Sequence, residues 1–409
     1  MERQPHGLDD PGHLDWLADQ RERLLDFYQP RVALPGAGFA WLDDAGRPLP
    51  ERGSQLWIGA RMLHVFALAS MLGRPGADEI VRHGLEFYLR GGGIDSVHGG
   101  WFAAVGGQSP SDRKELYGQA HILLAASSAL TAGFDDADEL VDRALALIDE
   151  HYWDYRSQAC VEDFDRAFTT CDGYRGQNAN MHLTEALLAA YEATDDVVSL
   201  ERATAIARRI AGPAAEDRPG SWRLNEHFDA QWRPLPDYNS DQPAHPFRPY
   251  GSQPGHWLEW SKLLLQLRGQ GVDEDWLLPA AVRLFDGAFQ DAWTPDGGFA
   301  YTVDWNGRPV VPECYWWEPA EAVGAACFLH QATGDQRYAD AYRRLWDYID
   351  ARVIDHRDGS WFPELDAAGR RVTQTWQGKP DLYHAFQTTL YANLPAGQGL
   401  AAWAGQRHR

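Results

Sequence analysis

The amino-acid sequence predicts an all-α fold, an (α/α)6 barrel in which six helix pairs close into a ring with short β-hairpins in the loops. Three observations predict it. A hairpin string recurs along the chain, helical segments fall in pairs between its copies, and the first helix of each pair opens on a similar polar–aromatic string.

The hairpin string reads GFAWLDDAGR at 38–47, GFAYTVDWNGR at 298–308 and GSWFPELDAAGR at 359–370, with a looser copy, GSWRLNEHFDAQWR, at 220–233. Each has a glycine, an aromatic residue, a short apolar run, an aspartate and a turn. Asn306-Gly307 is the strongest local turn signal, and GGWFAAV at 99–105 begins a fifth copy. The paired helices are expected near 55–73 and 77–90, 113–131 and 136–151, 178–194 and 197–211, 254–270 and 275–290, and 317–333 and 336–352. The last helix, near 381–395, pairs with the N-terminal one near 12–28, which makes twelve. Apolar residues recur at three and four, as at Leu123, Leu124, Ser127, Ser128 and Leu130.

An open solenoid needs polar caps at its ends. Both terminal segments instead carry apolar stripes, Leu14, Leu17, Leu24 and Leu25 at one end and Leu382, Phe386 and Leu390 at the other. A closed ring follows, and one ring makes residues 1–409 a single domain. The first helix of each pair is the more apolar all round, as in HILLAASSAL, and so faces inward. The strings that open the inner helices are QLWIGAR from 55, KELYGQAH from 114, QNANMH from 177, QPGHWLEW from 253, YWWEPAE from 315 and DLYHAFQ from 381. Trp57, Tyr117, Asn178, His256, Trp316 and His384 mark matching positions, spaced by 60, 61, 78, 60 and 68 residues. The long third interval holds PLPDYNSDQPAHPFRPYG at 234–251, read as an active-site loop.

A formal charge of −22 opposes binding to nucleic acid or anionic membranes. No apolar run approaches the roughly 20 residues that span a bilayer. The polar start MERQPHGLDD lacks the apolar core of a signal peptide. Four cysteines without a CxxC pair read as free thiols in a reducing cytoplasm. The sequence contains 18 Trp, 16 Tyr and 16 Phe, enough to build a core and also to offer flat faces to sugar C–H groups.

In a ring, the six opening strings converge on one pocket. His256 and Glu259 lie at i and i+3, where a carboxylate can fix an imidazole's tautomer; His384 and Glu321 can pair across neighbouring segments. His182 opens a third inner helix. Arg61, mid-helix among apolar residues, needs a ligand or a carboxylate, and Arg248, with Trp57 or Trp316, completes the lining. Imidazoles titrate near neutrality, which suits general acid–base work. Three histidines and a glutamate could bind zinc, but no HExxH or paired-histidine spacing exists, so no metal and no cofactor are expected. A glycoside hydrolase using Glu259 and Glu321 and a non-catalytic sugar-binding protein are the rival readings.

The strings NANMHLTEALLAAYEAT, PYGSQPGHWLEWSKLLLQL, WWEPAEAVGAA and KPDLYHAF resemble the N-acylglucosamine 2-epimerase superfamily, in its mannose isomerase and sulfoquinovose isomerase branch, over nearly the whole chain. The resemblance implies 1,2-proton transfer on an open-chain monosaccharide without metal or nicotinamide, and isomerisation of D-mannose to D-fructose ahead of 2-epimerisation. It implies a catalytic pair in His256 and His384. His182, Arg61, Tyr117, Asn178, Arg248, Glu259, Trp316 and Glu321 match substrate or supporting positions, and Trp57 an aromatic substrate contact. Glu318 and Pro319 depart from the expected form, which leaves Trp316 and Trp317 as alternatives for the pocket aromatic. A cytoplasmic monomer or homodimer is expected.

Overall fold

The computed structural model describes residues 6–8 and 10–408; the polar start read above falls largely outside them. Among the described residues there are thirteen α-helices. In chain order they are α1 (Pro11–Tyr28), α2 (Leu56–Met71), α3 (Ala77–Leu89), α4 (Leu116–Thr131), α5 (Asp136–Leu147), α6 (Gln177–Thr194), α7 (Val197–Ile210), α8 (Pro254–Gly269), α9 (Leu277–Asp291), α10 (Trp317–Thr333), α11 (Gln336–Tyr348), α12 (Tyr383–Thr388) and α13 (Leu400–His408). Helices α5 and α11 each run on into a π-helical turn, Ile148–Tyr152 and Ile349–Val353. Among the described residues no helix is long and apolar enough to cross a membrane.

The even-numbered helices form the inner ring. Each touches the next, and α12 returns to α2. Fifteen of the sixteen residues of α2 are buried, which only a helix surrounded on all sides permits. The outer helices bury one face. In α11 the buried residues are Tyr338, Ala339, Tyr342, Leu345, Trp346 and Tyr348, spaced by three and four. This is an (α/α)6 barrel.

Six short antiparallel contacts bind the ring at one end. The segment leading into each inner helix pairs with the hairpin of the next loop: Ser54 with Val105, Lys114 with Phe164, Arg175 with Phe228, Ser252 with Val303, and Cys314 with Leu365. The sixth contact, Leu42 with Lys379, joins the first hairpin to the start of the last inner helix and closes the circle. In four hairpins an aspartate shapes the turn. The Oδ1 atoms of Asp43, Asp229, Asp304 and Asp366 each accept from the backbone N–H groups two and four residues ahead. The residue before the closing arginine is left-handed: Gly46 at φ 77, Gly307 at φ 78, Gly369 at φ 70 and, in the looser copy, Trp232 at φ 59.

Two segments differ from the sequence expectation. The last inner helix ends at Thr388, and a 3-10 turn follows at Tyr391–Asn393. Pro395 forces the residue before it out of the helical region, and Leu394 is extended at φ −93, ψ 124. The thirteenth helix, α13, has no hairpin or partner helix to announce it. It lies across α2, α4 and α6 at the end of the ring away from the hairpins and brings Leu400 and Trp403 into the core. All four cysteines are free.

Candidate active site

Trp57, Tyr117, Asn178 and His384 are the second residues of α2, α4, α6 and α12; His256 is the third of α8, and Trp316 immediately precedes α10. All six line one narrow cavity at the hairpin end of the ring. Arg61, His182, Glu259, Trp317 and Trp376 line it too, and Pro246 and Phe247 bring the proline-rich loop over it. The Phe247 ring sits 5.9 Å from Trp57, 5.7 Å from Tyr117 and 5.8 Å from Trp376, so the mouth is walled by aromatic faces.

Two buried imidazoles dominate the chemistry. Nδ1 of His256 lies 2.8 Å from Oε2 of Glu226, the loop residue just before the short strand His227–Phe228. The same oxygen accepts from Nε2 of Gln177 at 2.7 Å and of Gln253 at 3.0 Å, and Oε1 accepts from the Gln253 backbone at 3.0 Å. Burial works against the charge on Glu226, but His256 and Gln177 hold its pKa below the ordinary value. Nδ1 of His384 lies 2.8 Å from Oε1 of Glu321, whose other oxygen takes the Lys262 ammonium at 2.5 Å. Burial again opposes ionisation, and Lys262 and His384 overcome it and hold Glu321 down at about 2. Burial lowers the pKa of His384 itself, although Glu321 pulls the other way. A carboxylate beside each Nδ1 favours the tautomer with its proton there, although the Gln177 amide nitrogen also lies 2.5 Å from Nδ1 of His256, and among the described residues no hydrogen bond reaches Nε2 of either ring. The Trp317 ring lies against both, at 5.4 Å from His256 and 6.1 Å from His384.

Arg61 spans the opposite wall. It donates to Asp381 at 3.2 Å, to the Tyr117 hydroxyl at 2.8 Å and to Nε2 of His121 at 3.0 Å, and lies 5.2 Å from the Trp57 ring centre. His121 gives its Nδ1 proton to the Tyr117 carbonyl, so its other nitrogen is free to accept from the guanidinium. Burial and Arg61 hold His121 neutral. Among the described residues, five cavity-lining side chains keep a buried polar atom without a hydrogen bond: Oδ1 of Asn178, Nδ1 of His182 and Oε1 of Glu259, which face each other at 3.5 Å, and the indole nitrogens of Trp316 and Trp376. Buried polar atoms are ordinarily paired; five orphans around one cavity fit a polyhydroxylated ligand. His182, Glu185 and Glu259 offer donor atoms within 4.8 Å of one another, close enough to share a cation. Burial and the nearby Glu321 push the pKa of the Glu259 carboxyl well above its ordinary value, so a cation there would compete with a proton.

Residues 37–388 match the sequence family described as N-acylglucosamine 2-epimerase. The chain belongs to the N-acylglucosamine 2-epimerase family. It is 45% identical to a D-mannose isomerase of Thermobifida fusca, over 95% of this chain and 96% of the relative. It is 40% identical to a D-mannose isomerase of Pseudomonas cannabina pv. alisalensis, over 97% of this chain and 96% of the relative. A crystal structure of a D-mannose isomerase superposes with a TM-score of 0.86 at 32% identity, covering 93% of this chain and 97% of that one.

Within this family member, two sequence expectations need correction. Glu259 does not orient His256; Glu226 does, because the i+3 carboxylate points across the ring to within 3.5 Å of His182. Arg248 lies outside the histidine cavity. It stacks 4.0 Å over Tyr174 and binds Asp163 at 2.8 Å, in an adjoining pocket with Glu115 and Glu162. There burial and Asp163 raise Glu162 to about 8 and Glu115 to about 7, and the Arg248 guanidinium pulls both the other way. Trp316 and Trp317 both line the cavity, so the choice between them does not arise. Sequence reasoning missed Glu226, Gln177, His121, Lys262, Phe247, Trp376 and Asp381. A lysine inside the apolar helix string HWLEWSKLLLQL was a usable signal, since an ammonium there needs a buried anion. Glu226 had none: it reaches His256 from a loop 30 residues upstream.

Proposed function

We propose that the chain is an aldose–ketose isomerase that interconverts D-mannose and D-fructose by moving a proton between C1 and C2 through a cis-enediolate. The observation that carries the reading is the pair of imidazoles over one cavity, each with Nδ1 committed to its own carboxylate and Nε2 left for the sugar. The names of the relatives at 40% and 45% identity point to the same substrate.

His256 and His384 together open the hemiacetal ring. Nε2 of His384 then takes the C2 proton of the open-chain aldose. The C–H electrons form the C1–C2 double bond, and the carbonyl pair moves onto O1. His256 passes the O2 hydroxyl proton to O1. His384 returns its proton to C1 as O2 becomes the ketose carbonyl. Glu321 steadies the imidazolium that forms between these steps, and Arg61 stabilises the enediolate charge. Trp57, Trp316 and Trp317 offer flat faces to the sugar, while Tyr117, Asn178, His182 and Glu259 supply polar contacts. Of the two carboxylates a hydrolase would need, Glu321 is committed to Lys262 and His384. Residues 1–409 act as one catalytic domain, and the free thiols suit a reducing cytoplasm.

Incubation with D-mannose in D2O, followed by NMR, tests the reading. Fructose with deuterium at C1 is expected. Unchanged mannose with no deuterium at C2 overturns isomerase chemistry, and glucose labelled at C2 reassigns the enzyme as a 2-epimerase.

A further inference from the structure

We propose that Lys262 is a positioning residue of this site, which holds Glu321 ionised and aimed at His384 and is itself fixed by a one-directional chain of hydrogen bonds running to the far wall of the ring. The inference rests on the role given above to His384.

Lys262 lies on α8, six residues beyond His256, and is 1% exposed. Its ammonium touches Oε2 of Glu321 and, at 3.1 Å, the hydroxyl of Tyr391. Tyr391 donates to Oε1 of Gln387 at 2.9 Å, and Nε2 of Gln387 lies 3.1 Å from Nε2 of His64. Nδ1 of His64 lies 2.7 Å from the Ser128 hydroxyl, which donates to the Leu124 carbonyl at 2.9 Å. The direction of every link follows from the last one. A carbonyl can only accept, so the Ser128 hydrogen is committed and its oxygen accepts from His64. Nδ1 of His64 therefore carries the proton and Nε2 accepts from the Gln387 amide. The amide oxygen then faces Tyr391, whose hydroxyl donates to it and accepts from Lys262. The chain is consistent only with a neutral His64 and a lysine that donates to Tyr391. A protonated His64 would turn the amide around and set a donor against Tyr391, and ultimately against the ammonium.

The charge balance gives this order a purpose. Around Lys262 stand Glu321 on α10, Glu259 on its own helix, Glu185 on α6, and Tyr391. Around His384 stand Glu321, Arg61 and Asp381, with His182 and His121 across the cavity. Without the ammonium, Glu321 would be a buried carboxylate facing Glu259, and the Glu321–His384 pair would bind a proton more tightly. The pair would then stay protonated, and unable to act as a base, up to a higher pH.

The test is the pH profile of kcat in Lys262→Gln and Lys262→Arg. In Lys262→Gln the acid limb should move up by about one pH unit or more. Lys262→Arg should return it close to the parent position, whatever its effect on amplitude. A role in stability alone lowers the amplitude and leaves the limb in place, and an unmoved limb in folded Lys262→Gln overturns the inference. A second measurement needs neither substrate nor a folded variant. Histidine 13C/15N NMR of the unaltered protein should show His64 and His384 as Nδ1–H tautomers. A His64 ring carrying its proton on Nε2 overturns the inference. If the protein leaves mannose unchanged, the functional reading fails by itself, and the His64 tautomer still tests the hydrogen-bond chain that fixes Lys262.

Discussion

Replacement of Glu226 by glutamine removes one charge and keeps the shape of the side chain. Oε2 receives three donors, from His256, Gln177 and Gln253, whereas Oε1 receives only the Gln253 backbone N–H. The new amide will therefore place its nitrogen at the Oε1 position and keep its oxygen under His256. The tautomer of His256 survives, but its charge-assisted hydrogen bond becomes a neutral one, at a loss of about 1–2 kcal/mol. The imidazolium that forms as His256 shuttles its proton also loses its counter-charge. A total near 2 kcal/mol corresponds to roughly a thirtyfold fall in kcat. Because the ground state binds neutral sugar, KM should change little. The assay is fructose formation from mannose, with circular dichroism to verify the fold. A folded Glu226→Gln enzyme with kcat within about twofold of the parent, or one whose entire loss lies in KM, would refute the assignment of Glu226 to His256.

Other consequences can be measured directly. His64 stays neutral in the fold down to about 4, because burial lowers it from 6.5. The unfolded chain therefore takes up an extra proton as pH falls through 6.5, and His64 costs stability by up to about 1.4 kcal/mol per pH unit until pH 4. Urea unfolding of His64→Gln should show about one proton less taken up at pH 5.5; an unchanged uptake contradicts the burial of a neutral ring. Gly369 is left-handed at φ 70 with the nearest atom to an added Cβ at 3.7 Å, so Gly369→Ala should lose about 1 kcal/mol of stability and no activity. An added Cβ at Gly255 strikes the Trp317 ring and Glu318, so Gly255→Ala should lower kcat as well as stability; equal effects at the two glycines would deny the close fit beside His256. Phe247→Ala opens the aromatic mouth and should raise KM for mannose about tenfold, or roughly 1.4 kcal/mol, in initial-rate assays; an unchanged KM places the loop outside substrate binding.

The ring could be read from the sequence because its repeats are enforced by backbone requirements. A left-handed glycine before an arginine, an aspartate capping the turn, and an inner helix apolar on every side all leave patterns a few residues wide. The six opening strings were legible for the same reason, since equivalent positions in a ring share one direction. What stayed hidden depends on approach across the ring. Glu226 meets His256 from a neighbouring hairpin, and Arg248 turns away because three carboxyls in the adjoining pocket need a counter-charge. Neither relation leaves a local spacing. The i+3 rule failed at Glu259 for a related reason: inner-helix residues three apart look into different sectors of the barrel, and Glu259 serves the sector of His182.

The first hairpin is bound to the segment leading into the last inner helix, Leu42 to Lys379, and α1 rests on α12. A ribosome must therefore release nearly the entire chain before either contact can form. Until then the nascent protein is an arc with an apolar flank at each end, open to wrong partners and to other copies of itself. Long-range pairings of this kind fold slowly, and loss of the C-terminal segment should prevent the circle from closing, however well the preceding helices are formed.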